Sequence, residues 1–340
     1  MTEASPLNVT LYTRPGCELC DEVKSYLKGL RRKFPHVLAE VNIETDETLV
    51  ARYSDQVPVV EVGPYRLKAP ITREALAMTL GAARDRRGQL EKVNGEGYAE
   101  KVRKGQTVTR SDRVYFWGAK HYLAVLNLIV FLYVGLPFLA PTLMKVGLTL
   151  PASAIYKMYS PLCHQFAFRS FFLFGEQPYY PLKEAGLTSV KTLGQVTGFT
   201  DLANTYSVSR LDARQYTGDP TVGYKVALCE RDVAIYAAIL VFGLAYAATR
   251  RRLPALHWTL WVLVGLGPIA LDGFTQLFSQ LNWAWLGQYL PYRESTPMER
   301  VITGFLFGFC TAWFAFPGIE ESMKETRAFL IKKFAIAQAA

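Results

Sequence analysis

Apolar and polar positions change rhythm along this chain, and each change predicts an element. The run from Val9 is apolar and strand-like, meets the turn Pro15-Gly16, and passes through Cys17-Glu18-Leu19-Cys20 into a helical spacing that reaches Arg32. A strand is expected at Val37 to Ile43, followed by a polar helical segment. Gln56-Val57-Pro58-Val59-Val60 then reads as a strand opened by Pro58, a position where a missing N–H is tolerated. Val59 to Val62 and Tyr65 to Lys68 pair as a hairpin across Gly63-Pro64, and Thr72 caps a last helix running to about Arg86.

From Arg86 to Arg113 the chain is charged, contains glycine and is poor in apolar residues, the pattern of a linker with one surface helix at Tyr98 to Arg103. Beyond it, His121 to Leu139 is almost uninterrupted apolar sequence, long enough for the ~20 residues that a bilayer core requires. Trp117, Tyr122 and basic residues flank it, as at a membrane interface. Further spans are expected at Val233 to Thr249, His257 to about Phe278, and Val301 to Pro317. Counting Ala152 to Phe174 as another span would place Arg250-Arg251-Arg252 outside, so that stretch reads as re-entrant or interfacial. Glu176 to Leu228, rich in Tyr, Thr, Gly and Asp, reads as an outer cap or long ordered loop. The tail Glu320 to Ala337 sets apolar and basic residues at helical spacing and is expected on the inner membrane surface. The segments are therefore an α/β domain at 1–86, a charged linker at 87–119, an all-α membrane bundle of about four transmembrane helices at 120–318, and an amphipathic tail at 319–340.

Composition agrees with two domains, since half of the 340 residues are hydrophobic. The net charge of +9 sits beside the apolar runs, at Arg86-Arg87, Lys101 to Lys104, Arg110 to Lys120, Arg250 to Arg252 and Lys324 to Lys333. That placement fits a lipid bilayer as partner and argues against nucleic acid. Positive loops stay inside, which puts both termini in the cytoplasm. The opening MTEASPLNVT has neither a basic n-region nor an apolar h-region, so no cleaved signal peptide is expected. In a reducing compartment a CxxC pair is catalytic or redox-sensing rather than a structural disulfide.

Cys17 stands where a strand hands over to a helix, near exposed N–H groups and the positive end of the helix dipole, both of which lower a thiol pKa. Cys20, one turn further on, can attack a mixed disulfide formed on Cys17. Cys17 is the expected nucleophile and Cys20 the resolving thiol. The alternatives are half of a zinc site or two structural thiols. A zinc knuckle wants a second Cys/His pair, and between Asp21 and Arg87 only His36 offers itself. The order of elements, the CxxC at the first strand-to-helix turn and Val57-Pro58 before the third strand resemble the thioredoxin fold in its short glutaredoxin-like form. The resemblance implies a cis proline at Pro58 that, with Val57, forms a rim for an extended substrate. It also implies protein thiols or a low-molecular-weight thiol as partners. The pair between the cysteines is Glu-Leu, and the turn after the third strand is Gly63-Pro64 where glutaredoxins carry the Gly-Gly that helps hold glutathione.

The membrane half is dense in polar residues. Ser160-Pro161 reads as the start of a helix with Cys163 and His164 in its first turn and Gln165 and Arg169 on one face. Cys229, Arg231 and Asp232 begin the second span. Asp272, Gln276 and Gln280 follow at i+4 spacing in the third, and Arg300 starts the fourth. Ionisable groups in a span cost several kcal/mol, so Asp272 is expected to pair with Arg231 or Arg300. One reading is a set of ion pairs that fixes the bundle. A second gathers Cys163, His164, Cys229 and Asp232 around a transition metal, zinc being the cofactor that this mixture suits. A third makes Cys163 and Cys229 a membrane-embedded dithiol. Cys310 reads as a buried small hydrophobe. The pattern CHQ(x)3RS, CxRD, DGxxQ and Glu-Ser-Thr resembles an uncharacterised family of small bacterial membrane proteins, carried here by Cys163, His164, Gln165, Arg169, Ser170, Cys229, Arg231, Asp232, Asp272, Gly273, Gln276, Glu294, Ser295 and Thr296. The expectation is thus an integral protein of a bacterial inner or plasma membrane acting as a thiol-disulfide oxidoreductase through a cytoplasmic CxxC. The alternatives are a membrane metal-site enzyme or transporter with a thioredoxin-fold redox sensor or docking module, and a bundle that serves only as anchor.

Overall fold

The structure, a computed structural model, describes residues 6–204, 207–281 and 291–339. The ends of the first and last predicted segments, 1–5 and 340, and positions 205–206 of the predicted cap lie outside the described residues. The chain divides into two units, one of Met1–Tyr122 with Glu321–Ala340 and one of Leu123–Glu320.

The first unit is an α/β sandwich. Strands β1 (Leu7–Thr13), β2 (His36–Asn42), β3 (Val59–Val62) and β4 (Tyr65–Lys68) form one sheet in the order β2-β1-β3-β4. β1 runs parallel to β2 and antiparallel to β3, with Tyr12 opposite Val59. Helix α1 (Glu18–Leu30) turns Val23, Leu27 and Leu30 onto one sheet face, beside Val9, Leu11, Val60 and Val62. Leu76, Leu80 and Ala83 from α3 (Arg73–Gln106) complete that core. Burying each Val or Leu there stabilises the unit by about 1.5–3 kcal/mol. The other face, with Tyr12, Val41 and Val59, is covered by Leu49 and Tyr53 of α2 (Glu47–Tyr53). This is the thioredoxin-like α/β domain that the alternation predicts, and the Val57-Pro58 bond is cis.

Two expectations about this unit change. The helix expected to end near Arg86 runs on to Gln106, so most of the predicted linker is helical. Its glycines do not break it, because the i,i+4 ion pairs Arg87–Glu91, with Arg87 buried, and Glu100–Lys104 support it. The one non-helical residue inside, Asn94, restarts the helix by accepting the Gly97 N–H at 3.0 Å, as an N-cap does. The tail expected on the membrane surface is instead the end of a helix whose Ala328, Ile331 and Ala335 pack on the α2 side of the sheet. Its cations are used inside the unit: Arg327 reaches Asp46 at 3.3 Å, Lys332 reaches Glu61 at 2.7 Å and Lys333 reaches Asp112 at 2.7 Å.

The second unit is mostly helical. Among the described residues, four helices are long and apolar enough to cross a membrane: α4 (Arg110–Lys145), α8 (Glu230–Ala248), α9 (Trp258–Ser279) and α10 (Pro297–Ala339). They present Leu128, Ile129, Phe131, Leu244, Leu263 and Leu271 outward, a surface that lipid satisfies and water does not. α10 approaches α8 closely because Gly304 and Gly308 carry no side chain. A Cβ on Gly304 would stand 2.8 Å from the Arg231 carbonyl oxygen, and one on Gly308 would collide with that of Ile235. Between α4 and α8 lie α5 (Thr149–Tyr159), β5 (Ser170–Leu173), α6 (Leu193–Thr197), α7 (Val208–Gln215), β6 (Gly218–Asp219) and β7 (Gly223–Cys229). The strands pair in the order β5-β7-β6 over a core that includes Phe168, Phe172, Tyr180 and Leu193. The stretch from Ala152 to Phe174 is thus one short helix, a turn and a strand. The segment up to Leu228 folds as a small subdomain rather than a loop.

Candidate functional site

In the first unit, the turn after β1 needs Gly16 at φ +71°, and it delivers Cys17 as the N-cap of α1. The Cys17 sulfur accepts the Cys20 N–H at 3.2 Å, so the backbone of the first helical turn is aimed at it. Cys17 and Cys20 are joined in a disulfide with Cα atoms 5.2 Å apart. Cys17 is half-buried at the helix mouth, whereas Cys20 is sealed in the core. Beside them lies a cavity of about 490 Å³ lined by Leu19, Val23, Tyr26, Pro58, Pro70 and Ile71, with Leu19 half exposed on its rim. Pro58 therefore forms part of a groove wall, but Val57 packs with Tyr53, Val59 and Ile331 on the far sheet face.

In the second unit, Cys163, Cys229 and Asp232 converge, their donor atoms all within 4.8 Å of one another. Cys163 follows the end of α5, Cys229 is the N-cap of α8, and Asp232 sits in its first turn. The Cys229 N–H donates to the Cys163 sulfur at 3.4 Å. Their mutual hydrogen bond holds Cys163 below the ordinary thiol range and pushes Cys229 well above it, burial adding to the rise.

The predicted helix from Ser160 is a correction. Ser160 closes α5, its N–H bonded to the Tyr156 carbonyl at 3.0 Å, and Pro161 follows as a stop. Gln165 then takes a left-handed φ of 53° and is anchored by its own amide, which donates to the Tyr156 and Ala227 carbonyls at 3.0 and 2.9 Å. Gln165 and Arg169 consequently share no helix face. His164 is also displaced from its predicted metal set: it is exposed and stacks on Phe166 with ring centroids 5.9 Å apart.

The polar stripe of α9 meets the loop before α10. Glu294, fully buried, takes a two-pronged ion pair from Arg169 at 2.6 and 2.8 Å, another from Arg300, and amide hydrogens from Gln276 at 3.0 Å and Gln280 at 3.1 Å. Burial opposes its charge, yet Arg169 and Arg300 hold its carboxyl below the usual carboxylate range. Arg300 also reaches Glu230 at 3.2 Å. Asp272 pairs with Arg231 and, at 3.0 Å, with Arg293, and the Ser295 hydroxyl lies 2.8 Å from it. Of the two predicted partners of Asp272, Arg231 is the one it contacts.

Three participants escaped the sequence reading. Arg293 and Glu230 sit next to residues that were singled out. Lys225 interrupts the apolar run Val222 to Leu228, a signal in itself: buried Nζ donates to the Gln165 and Arg214 carbonyls, both at 2.8 Å. Burial pushes its pKa down to about 7.

A thioredoxin-like dithiol domain followed by a polytopic helical unit defines the class of protein. Residues 8–81 match the family model described as a glutaredoxin-like domain. Residues 221–314 match the one described as a predicted membrane protein (DUF2085). An uncharacterized protein of Methanocaldococcus jannaschii is 26% identical over 207 residues, 58% of this chain and 92% of its own length. No solved structure matches the chain.

Proposed function

We propose that the chain is a membrane-bound thiol-disulfide oxidoreductase that works through Cys17 and Cys20, with its dithiol domain on the cytoplasmic side. The observation that carries this reading is the Cys17 sulfur at the N-terminus of α1, half-open and facing the backbone N–H of Cys20, with Cys20 sealed behind it. In the reduced domain the Cys17 thiolate attacks a substrate disulfide, forming a mixed disulfide and releasing one substrate thiol. Cys20 then gives up its proton and attacks the Cys17 sulfur, releasing the second substrate thiol and leaving the Cys17–Cys20 disulfide. Two electrons pass from the protein to the substrate. The groove between Leu19 and Pro58 suits an extended peptide or a small thiol. The Arg250 to Arg252 triplet, the basic residues before α4 and those after Glu320 favour the cytoplasmic side for all three.

The test uses the purified full chain in detergent, reduced and freed of reductant, against a protein disulfide and against oxidised glutathione. Cys17→Ser is expected to abolish turnover. Cys20→Ser is expected to accumulate a mixed disulfide on Cys17, seen by mass spectrometry. Turnover that survives Cys17→Ser would overturn the reading.

A further inference from the structure

We propose that Cys163, Cys229 and Asp232 form a three-ligand site for a thiophilic divalent cation of the zinc class. The inference stands apart from the chemistry of Cys17 and Cys20 and uses none of their residues. The two sulfurs come from distant points of the sequence, one after α5 and one at the head of α8, and the fold of the second unit brings them together with a carboxylate one helical turn on. All three donors lie within 4.8 Å of one another. A tetrahedral zinc ion with sulfur at ~2.3 Å and carboxylate oxygen at ~2.0–2.2 Å spaces its ligands roughly 3.5–3.8 Å apart, so small side-chain rotations complete the set.

Three observations favour a cation over a disulfide. First, the carboxylate of Asp232 has no ion pair or hydrogen bond among the described residues, while its neighbour Arg231 is taken by Asp272. A disulfide has no use for that carboxylate, and a cation does. Second, Cys17 and Cys20 are bonded in this molecule, whereas Cys163 and Cys229 stand free with the Cys229 N–H turned to the Cys163 sulfur at 3.4 Å. Such an N–H···S contact supports a thiolate ligand. Third, the charges close. Two thiolates and a carboxylate carry three negative charges, a divalent ion leaves one, and buried Lys225, whose Nζ is bonded to two backbone carbonyls, acts electrostatically on Cys163. Mixed sulfur and oxygen donors select zinc-like ions over magnesium or calcium. Three protein ligands leave a fourth position for water or a small ligand, the arrangement of reactive rather than purely structural zinc sites. Binding releases the thiol protons to solvent, so the ion takes the place of protons and no electrons move.

The experiment uses full-length protein carrying Cys17→Ser and Cys20→Ser, so that metal on the first pair does not contribute. Under reducing conditions this protein is expected to retain one equivalent of zinc through gel filtration. Cadmium in its place is expected to give the ultraviolet thiolate-to-cadmium charge-transfer band. Adding Cys163→Ser or Cys229→Ser abolishes both signals, Asp232→Asn loses bound zinc, and His164→Ala and Cys310→Ser leave the stoichiometry at one. A readout that needs no ligand variant is alkylation of Cys163 and Cys229: zinc protects both, and a chelator restores their labelling. Absence of retained zinc and of the cadmium band in the parent protein, or zinc binding unaltered by Asp232→Asn, overturns the proposal, as does a Cys163–Cys229 disulfide in protein isolated with its thiols blocked. None of these results bears on turnover by Cys17.

Discussion

At the scale of single residues, Glu294 is the centre of the second unit's polar network. Removing its charge leaves Arg169 and Arg300 facing each other in a buried site, a loss that typically costs about 3–5 kcal/mol. Glu294→Gln is expected to lower the thermal midpoint of the detergent-solubilised protein well below that of a control such as His164→Ala. Equal midpoints would mean that the network does not hold the unit. In the first unit, burial opposes the charge of Glu61, but Lys332 and Arg66 hold its carboxyl below the usual 4.5. The sign follows from the depressed folded value: stability from Glu61 is complete above about 4.5 and is lost as pH falls through the lower native pKa. Glu61→Gln should flatten the acid limb of the unfolding curve. In a double-mutant cycle with Lys332→Ala the two changes should be non-additive by about 1 kcal/mol, since Lys332 is partly exposed.

At the scale of elements, what could be read from sequence followed the strength of local periodicity. β1, α1, β2 and the β3–β4 hairpin have clean alternation or a clear cap, and all form where expected. The four spans were equally legible, because a run of apolar residues that long has few other uses. The stripe Asp272, Gln276 and Gln280 announced a shared face, and the structure sets all three against the Arg293 to Ser295 loop. What failed was any element whose reason lies elsewhere in the chain. Ser160-Pro161 is good chemistry for either end of a helix, and only the carbonyls of Tyr156 and Lys157 decide that it ends one. The tail's apolar stripe looks the same whether lipid or protein covers it. Here it covers Tyr12, Val41 and Tyr53, so deleting residues 321–340 is expected to expose that face and destabilise the thioredoxin-like unit, read as faster proteolysis of residues 6–106. Unchanged proteolysis would show that the contact contributes nothing. For the bundle, Gly308→Ala forces a Cβ onto the Ile235 carbonyl and should cost about 1–3 kcal/mol, whereas Gly118→Ala, which meets nothing, should cost little.

At the scale of the whole molecule, a dithiol domain and a membrane unit carry two separate clusters of sulfur chemistry, and they are built differently. The first presents a half-open sulfur at a helix mouth beside a groove. The second encloses two sulfurs and a carboxylate among cations. The proposed topology, drawn from the positive residues before α4, between α8 and α9 and after Glu320, assigns these three segments to the same side of the membrane. Single cysteines introduced at Arg250 and near Gly186 are therefore expected to label from opposite sides in membrane vesicles. Labelling from the same side would contradict the topology.

The central claim is that the head of α1 makes the Cys17 sulfur reactive. The rate of its alkylation in the native, reduced full chain, followed by mass spectrometry from acid to alkaline pH, tests this most directly. The account predicts fast modification of Cys17 with an inflection below the ~8.5 of a free thiol and slow modification of buried Cys20. A Cys17 that alkylates with an ordinary thiol inflection, or no faster than Cys20, would contradict it.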